Sequence, residues 1–457
     1  MLEKKYLKEL IKISFPLIIS SSIWTVQHFV DRMFISWYSV KSLAAVLPAS
    51  FLNLTTTSIF IGTTAFVSTF VSQYYGAKTY EKIGKIVWQG IYFGIIGGIF
   101  HIFLFYLSPY IFEIFKHESE VLNYEVTYFQ ILCLGSFPVI ASNSLSSFFS
   151  GRGRTVPILI ISIIQTILNL VFDYLLIFGK WIFPEMGIKG AGIATVLSQY
   201  ISLFIYFLLF FLNKKNEIYG VKDFKFDSYL FKNLIRFGVP NGIFFFIDIS
   251  VWSIFLLIIG KMGVISLSST NIAFNINTVA FMPMLGIGTG VSVLVGQYIG
   301  KGKQEISEKI TYMGFLITFI YMVLVALSYV IFPDFYINFF KPKIFPENFL
   351  EMRNLTRVLL KFVAFYSVFD TCNVIFISAL KGAGDTKFIM KVFLFNSIFI
   401  FLLPLYLLTF FFSSNIFIAW ILASVYVIFD GLIFFFRFFK GKWKQIKIIE
   451  VLQYPMI

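Results

Sequence analysis

Long apolar runs recur along this chain from Ile11 to Phe439, and that recurrence constrains its fold more than any other feature. A bilayer core takes about 20 apolar residues in helical conformation, and the runs meet that length again and again. The predicted helices cover 11–37, 43–75, 83–108, 121–148, 154–178 and 186–212 in the first half, then 229–259, 265–298, 309–331, 353–380, 385–411 and 414–439 in the second. The expected fold is therefore an all-α integral membrane protein with twelve transmembrane helices. With 58% hydrophobic and 13% charged residues, the chain has too little polar surface to coat a soluble globule of 457 residues. The polar stretches are short, which leaves no room for a sizeable soluble domain. The 61 Phe reflect a compositional bias shared with Ile, Lys and Asn, and serve as lipid-facing bulk rather than as an aromatic site.

A net charge of +14 would suit nucleic acid only if Lys and Arg gathered on one soluble face. They alternate between loops instead. The N-terminus, the even-numbered loops and the C-terminus hold 26 of them, the odd-numbered loops hold 10, and Lys361 lies within a helix. This is the positive-inside pattern, and it predicts a multi-pass inner-membrane protein with both termini in the cytoplasm. The opening MLEKKYLKELIK reads as a retained basic lead-in to the first span, since no small-residue cleavage site follows the apolar run. Cys133 and Cys372 fall in apolar helices without metal-ligand spacing and are expected to pack. No cofactor is expected.

The two halves repeat. Leu10-Ile11-Lys12 with Pro16 returns as Leu234-Ile235-Arg236 with Pro240, and Gln73-Tyr74, Gly76 and Glu81 return as Gln297-Tyr298, Gly300 and Glu305, all at an offset of 224. Gly151, Gly153 and Thr155 match Gly382, Gly384 and Thr386 at an offset of 231, after a seven-residue insertion. The expected organisation is an N-terminal lobe over 1–212, a cytoplasmic linker over 213–228, a C-terminal lobe over 229–440 and a cytoplasmic tail over 441–457. Six helices per repeat place both lobes the same way up, related by a pseudo-two-fold axis along the membrane normal. Such a pair can rock about a central cleft, which is the physical requirement for transport; a repeat that only builds a scaffold is the plainer alternative.

Several blocks carry a family resemblance. Val30-Asp31-Arg32-Met33-Phe34-Ile35 with Ser42-Leu43-Ala44-Ala45-Val46, the stretch Asn169 to Phe178, and Gly187 to Thr195 resemble the first, fifth and sixth helices of multidrug and toxic compound extrusion (MATE) transporters. Arg236-Phe237-Gly238-Val239-Pro240 and Leu380-Lys381-Gly382-Ala383-Gly384-Asp385-Thr386 resemble the entry to the seventh helix and the exit of the tenth. The resemblance implies two six-helix lobes in a V and export of amphipathic, often cationic, organic compounds against inward Na+ or H+. The implied partners are such small molecules and membrane lipid, with no nucleic acid, and the expected state is a monomer.

Charged groups inside lipid cost roughly 2.5–3.5 kcal/mol or more, so intramembrane carboxylates are candidate functional groups. Asp31, Asn169, Asp173 and Thr195 all fall in the outer half of the first lobe, with Asn169 and Asp173 one turn apart on a shared face. Two carboxylates, an amide carbonyl and a hydroxyl are hard ligands suited to Na+, and without a metal the carboxylates can carry a proton. The resemblance assigns cation binding to these positions. The plainer readings are an interfacial Asp31–Arg32 pair, helix–helix hydrogen bonding by Asn169 and Asp173, and a packing role for Thr195. In the second lobe, Asp248, Tyr366 and Asp370 match the spacing of the cation site in the NorM-like branch, whereas Asn169 and Asp173 resemble the DinF-like branch. Here the alternative is a carboxylate satisfied by neighbouring hydroxyls. His28, one turn before Asp31, has the chemistry of a proton relay and equally that of a packing histidine. His101 and Asp430 are also intramembrane and have no assigned role.

Other classes lack their parts. Gly382-Ala383-Gly384-Asp385 spells the GxGD of intramembrane aspartyl proteases, but that chemistry needs a second Asp sharing a proton, and the equivalent stretch of the other repeat has Arg154. No HExxH, Walker loop or nucleophile elbow is present, so the chain is not expected to be an enzyme. A major-facilitator carrier would show a Gly, Asp and Arg signature between helices two and three, where this chain has Ser72-Gln73-Tyr74-Tyr75-Gly76-Ala77-Lys78. A lipid-linked oligosaccharide flippase usually brings further helices and a more cationic cavity; it is the alternative function. A channel or receptor is the other, and it would equilibrate its solute rather than follow an ion gradient.

Overall fold

A computed structural model describes residues 2–340, 349–412 and 415–450. Among these residues all regular structure is helical, and twelve helices are long and apolar enough to cross a bilayer. They are α1 Lys4–Tyr38, α2 Lys41–Gly76, α3 Glu81–Glu113, α4 Ser119–Gly151, α5 Val156–Ile177, α6 Ile188–Phe211, α7 Ser228–Lys261, α8 Val264–Gly300, α9 Gln304–Ile331, α10 Phe349–Ala383, α11 Thr386–Phe411 and α12 Ile416–Phe439. Every expected span is present. The last residues of the expected tail, 451–457, lie outside the described residues, as does the expected start of the twelfth helix at 414.

The largest departures from expectation are at three helix ends. The basic lead-in is already helical, so α1 begins at Lys4 rather than at 11. The start of α9 moves back to Gln304, whose amide donates to the Lys444 carbonyl at 2.9 Å and whose neighbour Glu305 suits the positive end of the helix dipole. The third departure is that α3 runs through Pro109 to Glu113 instead of stopping at 108. A proline leaves the carbonyl four residues earlier without its donor, which lipid cannot replace. Here the Phe105 carbonyl accepts from Ser108 Oγ at 2.7 Å and from Gln130 Nε2 at 3.2 Å. Pro138 in α4 is served the same way: the Leu134 carbonyl accepts from the Tyr200 hydroxyl at 3.2 Å.

The chain falls into two compact units. One contains residues 19–246 with the stretch 296–302, and the other contains the residues up to 18 with 247–295 and 303–447, so α1 and α7 each divide their length between units. Within the first unit, Gly62 of α2 meets Gly242 of α7 so closely that a β-carbon at Gly62 would lie 2.7 Å from the Gly242 Cα. Within the second, a β-carbon at Gly286 of α8 would lie 2.8 Å from the Ile18 nitrogen of α1. Adding the repeat offset to 62 and 18 gives 286 and 242, so one packing is built twice. A second pair of this kind lies within the first unit, where Gly76 packs on Gln297 and Gly300 on Gln73.

The polar segment after α6 is built onto the first unit. It forms a 3-10 turn, Lys214–Tyr219, and its Val221 carbonyl accepts from the Trp88 indole at 2.9 Å. Arg152 lies over the Phe148 ring at 3.6 Å and the Tyr219 ring at 4.5 Å, and donates to the Phe148 carbonyl and to Asn216 Oδ1. Cys133 is a buried core residue and Cys372 is half-buried, and both are free thiols.

Between α9 and α10 a short helix, Pro333–Ile337, is tied down by Asp334, which accepts from Arg357 Nη2 at 2.5 Å and Arg353 Nε at 3.0 Å. The Arg357 guanidinium, then that of Arg353, holds the Asp334 carboxyl at about 2, below its ordinary 3.8. A depressed carboxyl pKa contributes stability that is complete above the unfolded value and lost as pH falls through the folded one. The hydrogen-exchange protection factors at 333–337, taken against the intrinsic rate at each pH, should therefore fall in the wild type between about pH 4 and pH 2. Asp334→Asn should have lower protection factors at pH 6 and show little further change in them over that window.

Candidate cation-coupling sites

In the first unit, α1 and α5 place Asp31 beside Asp173. Asn169 and Asp173 are fully buried, and Asp31 is 14% exposed. Among the described residues no donor outside the carboxyl pair itself reaches Asp173 Oδ1 and Oδ2, Asn169 Oδ1 or Asp31 Oδ1. Two adjacent carboxyl groups in a low-dielectric interior need a counter-charge, either a bound cation or a shared proton. These oxygens fit a small hard cation. A buried tyrosine, Tyr128 of α4, faces both carboxyls and was not legible in the sequence, because nothing in its spacing marks it. Thr166 Oγ1 donates to Gln27 Oε1 at 3.1 Å, a buried polar contact between the same two helices.

Two expectations are revised here. Thr195 is half-buried, and its hydroxyl donates to the Ala191 carbonyl one turn earlier at 3.0 Å, with no hydrogen bond to either carboxylate among the described residues. On its own helix face Asp31 is approached by the His28 ring, with Nδ1 3.9 Å from Oδ2, while Arg32 is exposed and makes no ion pair with Asp31 among the described residues. His28 meets the Trp24 ring edge-on at 4.3 Å.

The second unit brings Asp248, Tyr366 and Asp370 into one neighbourhood. Tyr366 is buried, and the two carboxylates are half-buried. Asp370 Oδ1 accepts from Asn373 Nδ2 at 3.3 Å, and Asp248 sits beside Trp252 and Lys381. A third acid, Asp430 of α12, joins them within electrostatic range. The sequence signal for Asp430 was present, as an acid in an apolar helix, but its partner Asn396 lies on another helix.

His101 has a structural explanation. Its Nδ1 donates to the Gly97 carbonyl at 2.8 Å, which leaves Nε2 to accept from Thr57 Oγ1 at 3.0 Å, so both ring nitrogens are satisfied in the buried neutral ring. Asp385 of the GxGD stretch accepts from Arg437 Nε at 2.8 Å, a guanidinium where an aspartyl protease needs a second acid. Among the described residues no three His, Cys, Asp or Glu side chains converge as a metal-binding group.

Twelve membrane-length helices among the described residues, several carrying buried acids, define a multi-pass α-helical membrane protein. The MatE family model matches residues 16–175 and 242–407, and the chain belongs to this family. It is 26% identical to a probable multidrug resistance protein NorM of Thermotoga maritima over 442 residues, 96% of this chain and 93% of that protein. The multidrug resistance protein NorM of Vibrio cholerae is 26% identical over 397 residues, 84% of this chain and 83% of its own length. Among solved structures, an outward-facing multidrug resistance MATE family transporter of the MOP superfamily matches with a TM-score of 0.85 at 18% identity, over 96% of this chain and 97% of that one. A MOP superfamily transporter from Pyrococcus furiosus, described as having a binding pocket of reverse polarity, matches equally well at 0.85 and 18%. At that identity these two likenesses establish the fold.

Proposed function

We propose that this chain is a secondary active antiporter of the inner membrane that exports amphipathic, often cationic, organic compounds in exchange for Na+ or H+. The observation that carries the reading is the buried pair Asp31 and Asp173 with Asn169, whose buried oxygens take no donor from outside the pair among the described residues. Such a site is stable only when a cation or proton occupies it. Its occupancy therefore differs between states open to opposite sides of the membrane, and that difference is what couples an ion to a cargo. The names of the NorM relatives support small organic compounds as cargo. The charge asymmetry of the loops supports cytoplasmic termini. No covalent step belongs to this reading, in which Asp248, Tyr366 and Asp370 form a second coupling site.

The test is ethidium efflux from proteoliposomes under an imposed Na+ gradient and, separately, an imposed pH gradient. The expected result is efflux that follows one of the two gradients and stops when it is dissipated. A folded, inserted protein that moves no cationic dye under either gradient sinks the antiporter reading and favours the lipid-linked oligosaccharide flippase.

A further inference from the structure

Asp430 is the most completely buried acid of the second unit, at 0% exposure in the middle of α12. Its Oδ1 accepts from Asn396 Nδ2 of α11 at 2.5 Å, and its Oδ2 is buried as well. The Tyr426 hydroxyl, one turn earlier on the same face, is buried against the Asp430 carboxyl. The charged and titratable groups facing this spot are Asp370 and the neighbouring Cys372 of α10, Asp248 of α7 and Tyr426 of α12 itself. Among the described residues no cation faces it, so a permanently ionised Asp430 would meet the like charges of Asp370 and Asp248 in a buried site.

Asn396 is not in an ordinary stretch of helix. Directly after it, residues Ser397–Leu402 form a π-helical segment, which loosens α11 just before Pro404. The proline removes a helix donor and gives the looser turn a structural reason, but π segments within helices are also where a change of hydrogen bonding alters the helix most cheaply. Phe401 of this segment stacks on the Tyr426 ring, with centroids 5.0 Å apart and planes 10° apart. The π turn is thus connected to Asp430 twice, through Asn396 at its start and through Phe401 and Tyr426 near its end.

We propose that Asp430 is a third proton-carrying acid of the transport cycle, which passes its protonation to the π turn of α11 through Asn396. This rests on the antiporter reading above. An O–H bond forms at Oδ2 with a proton drawn from water on one side of the membrane and breaks when that proton returns to water on the other. In the ionised form the Asn396 bond is charge-assisted; in the neutral acid it is about half as strong. The start of the π turn is held tightly in one state and loosely in the other.

The test uses the full chain in detergent and in proteoliposomes. In pH-difference infrared spectra, the wild type should show a protonated-carboxyl carbonyl band that Asp430→Asn removes and Asp430→Glu restores at a shifted position. Ethidium-triggered proton release, followed with a soluble pH dye, should lose one proton per protein in Asp430→Asn. A folded Asp430→Asn that keeps the band and the full proton release overturns the proposal. Should Asp430→Asn fail to fold, Asn396→Leu takes its place: losing that donor must shift the band, and an unshifted band overturns the proposal equally. The infrared readout needs no transport. A wild type without gradient-driven efflux therefore sinks the antiporter reading, whereas normal efflux with unchanged proton release in Asp430→Asn sinks only the third acid.

Discussion

Asp31→Asn and Asp173→Asn should each lower gradient-driven ethidium efflux by roughly 10- to 100-fold, the span of a typical coupling free energy. Asparagine keeps the size and the helix but cannot carry a charge or exchange a proton. The pair it replaces is buried, and its buried oxygens take no donor from outside the pair among the described residues, so nothing else nearby takes over the role. Residual dye movement in these variants should no longer respond to the gradient. Thr195→Val should lose far less, because that hydroxyl is already committed to the Ala191 carbonyl. Proteoliposome efflux with matched protein amounts decides the matter: both Asn variants retaining wild-type coupling, with Asp370→Asn losing it, would move the working site to the second unit.

A different kind of loss is expected at the repeated glycines. Gly76→Val should lower the thermal unfolding midpoint of the detergent-solubilised protein markedly, with a destabilisation of about 1–3 kcal/mol or more from overpacking. At Gly76 an added β-carbon would lie 2.8 Å from the Gln297 carbonyl carbon, and at Gly300 one would lie 2.9 Å from that of Gln73. In both cases the obstacle is backbone, which cannot rotate away as a side chain would. Gly300→Val should therefore match Gly76→Val, since the two are one contact built twice. Gly302→Val provides the comparison: its surroundings are open, and its loss should come from its left-handed φ of 71° alone. Equal midpoints for Gly76→Val and the wild type would disprove the close packing.

Much of the architecture could be read from the residues. The twelve spans came from apolar length, a property of each segment by itself, and the structure moved few of their ends by more than four residues. At two of the three missed ends a partner from elsewhere in the chain took part, as with Gln130 covering the carbonyl that Pro109 leaves open. The candidate acids were equally legible, because a carboxylate in an apolar run is conspicuous. Their surroundings were not. Thr195 belonged to the expected cluster by its depth, its hydroxyl and the family resemblance, yet that hydroxyl turns back onto its own helix. Tyr128 and Asn396 gave no sign of their roles, since neither residue type stands out among buried helices.

The sequence by itself determined the number of spans, the six-helix repeat, its glycines and the depth of each acid, since all of these depend on local composition or on one offset. Only the tertiary structure decided which acids face which, that Asp31 lies beside Asp173, that Asp430 holds Asn396, and that Asp385 is taken by Arg437. Depth follows from counting residues along a helix. Partnership follows from the rotation and axial register of helices distant in the chain, and those are set by packing of whole surfaces that no single segment specifies.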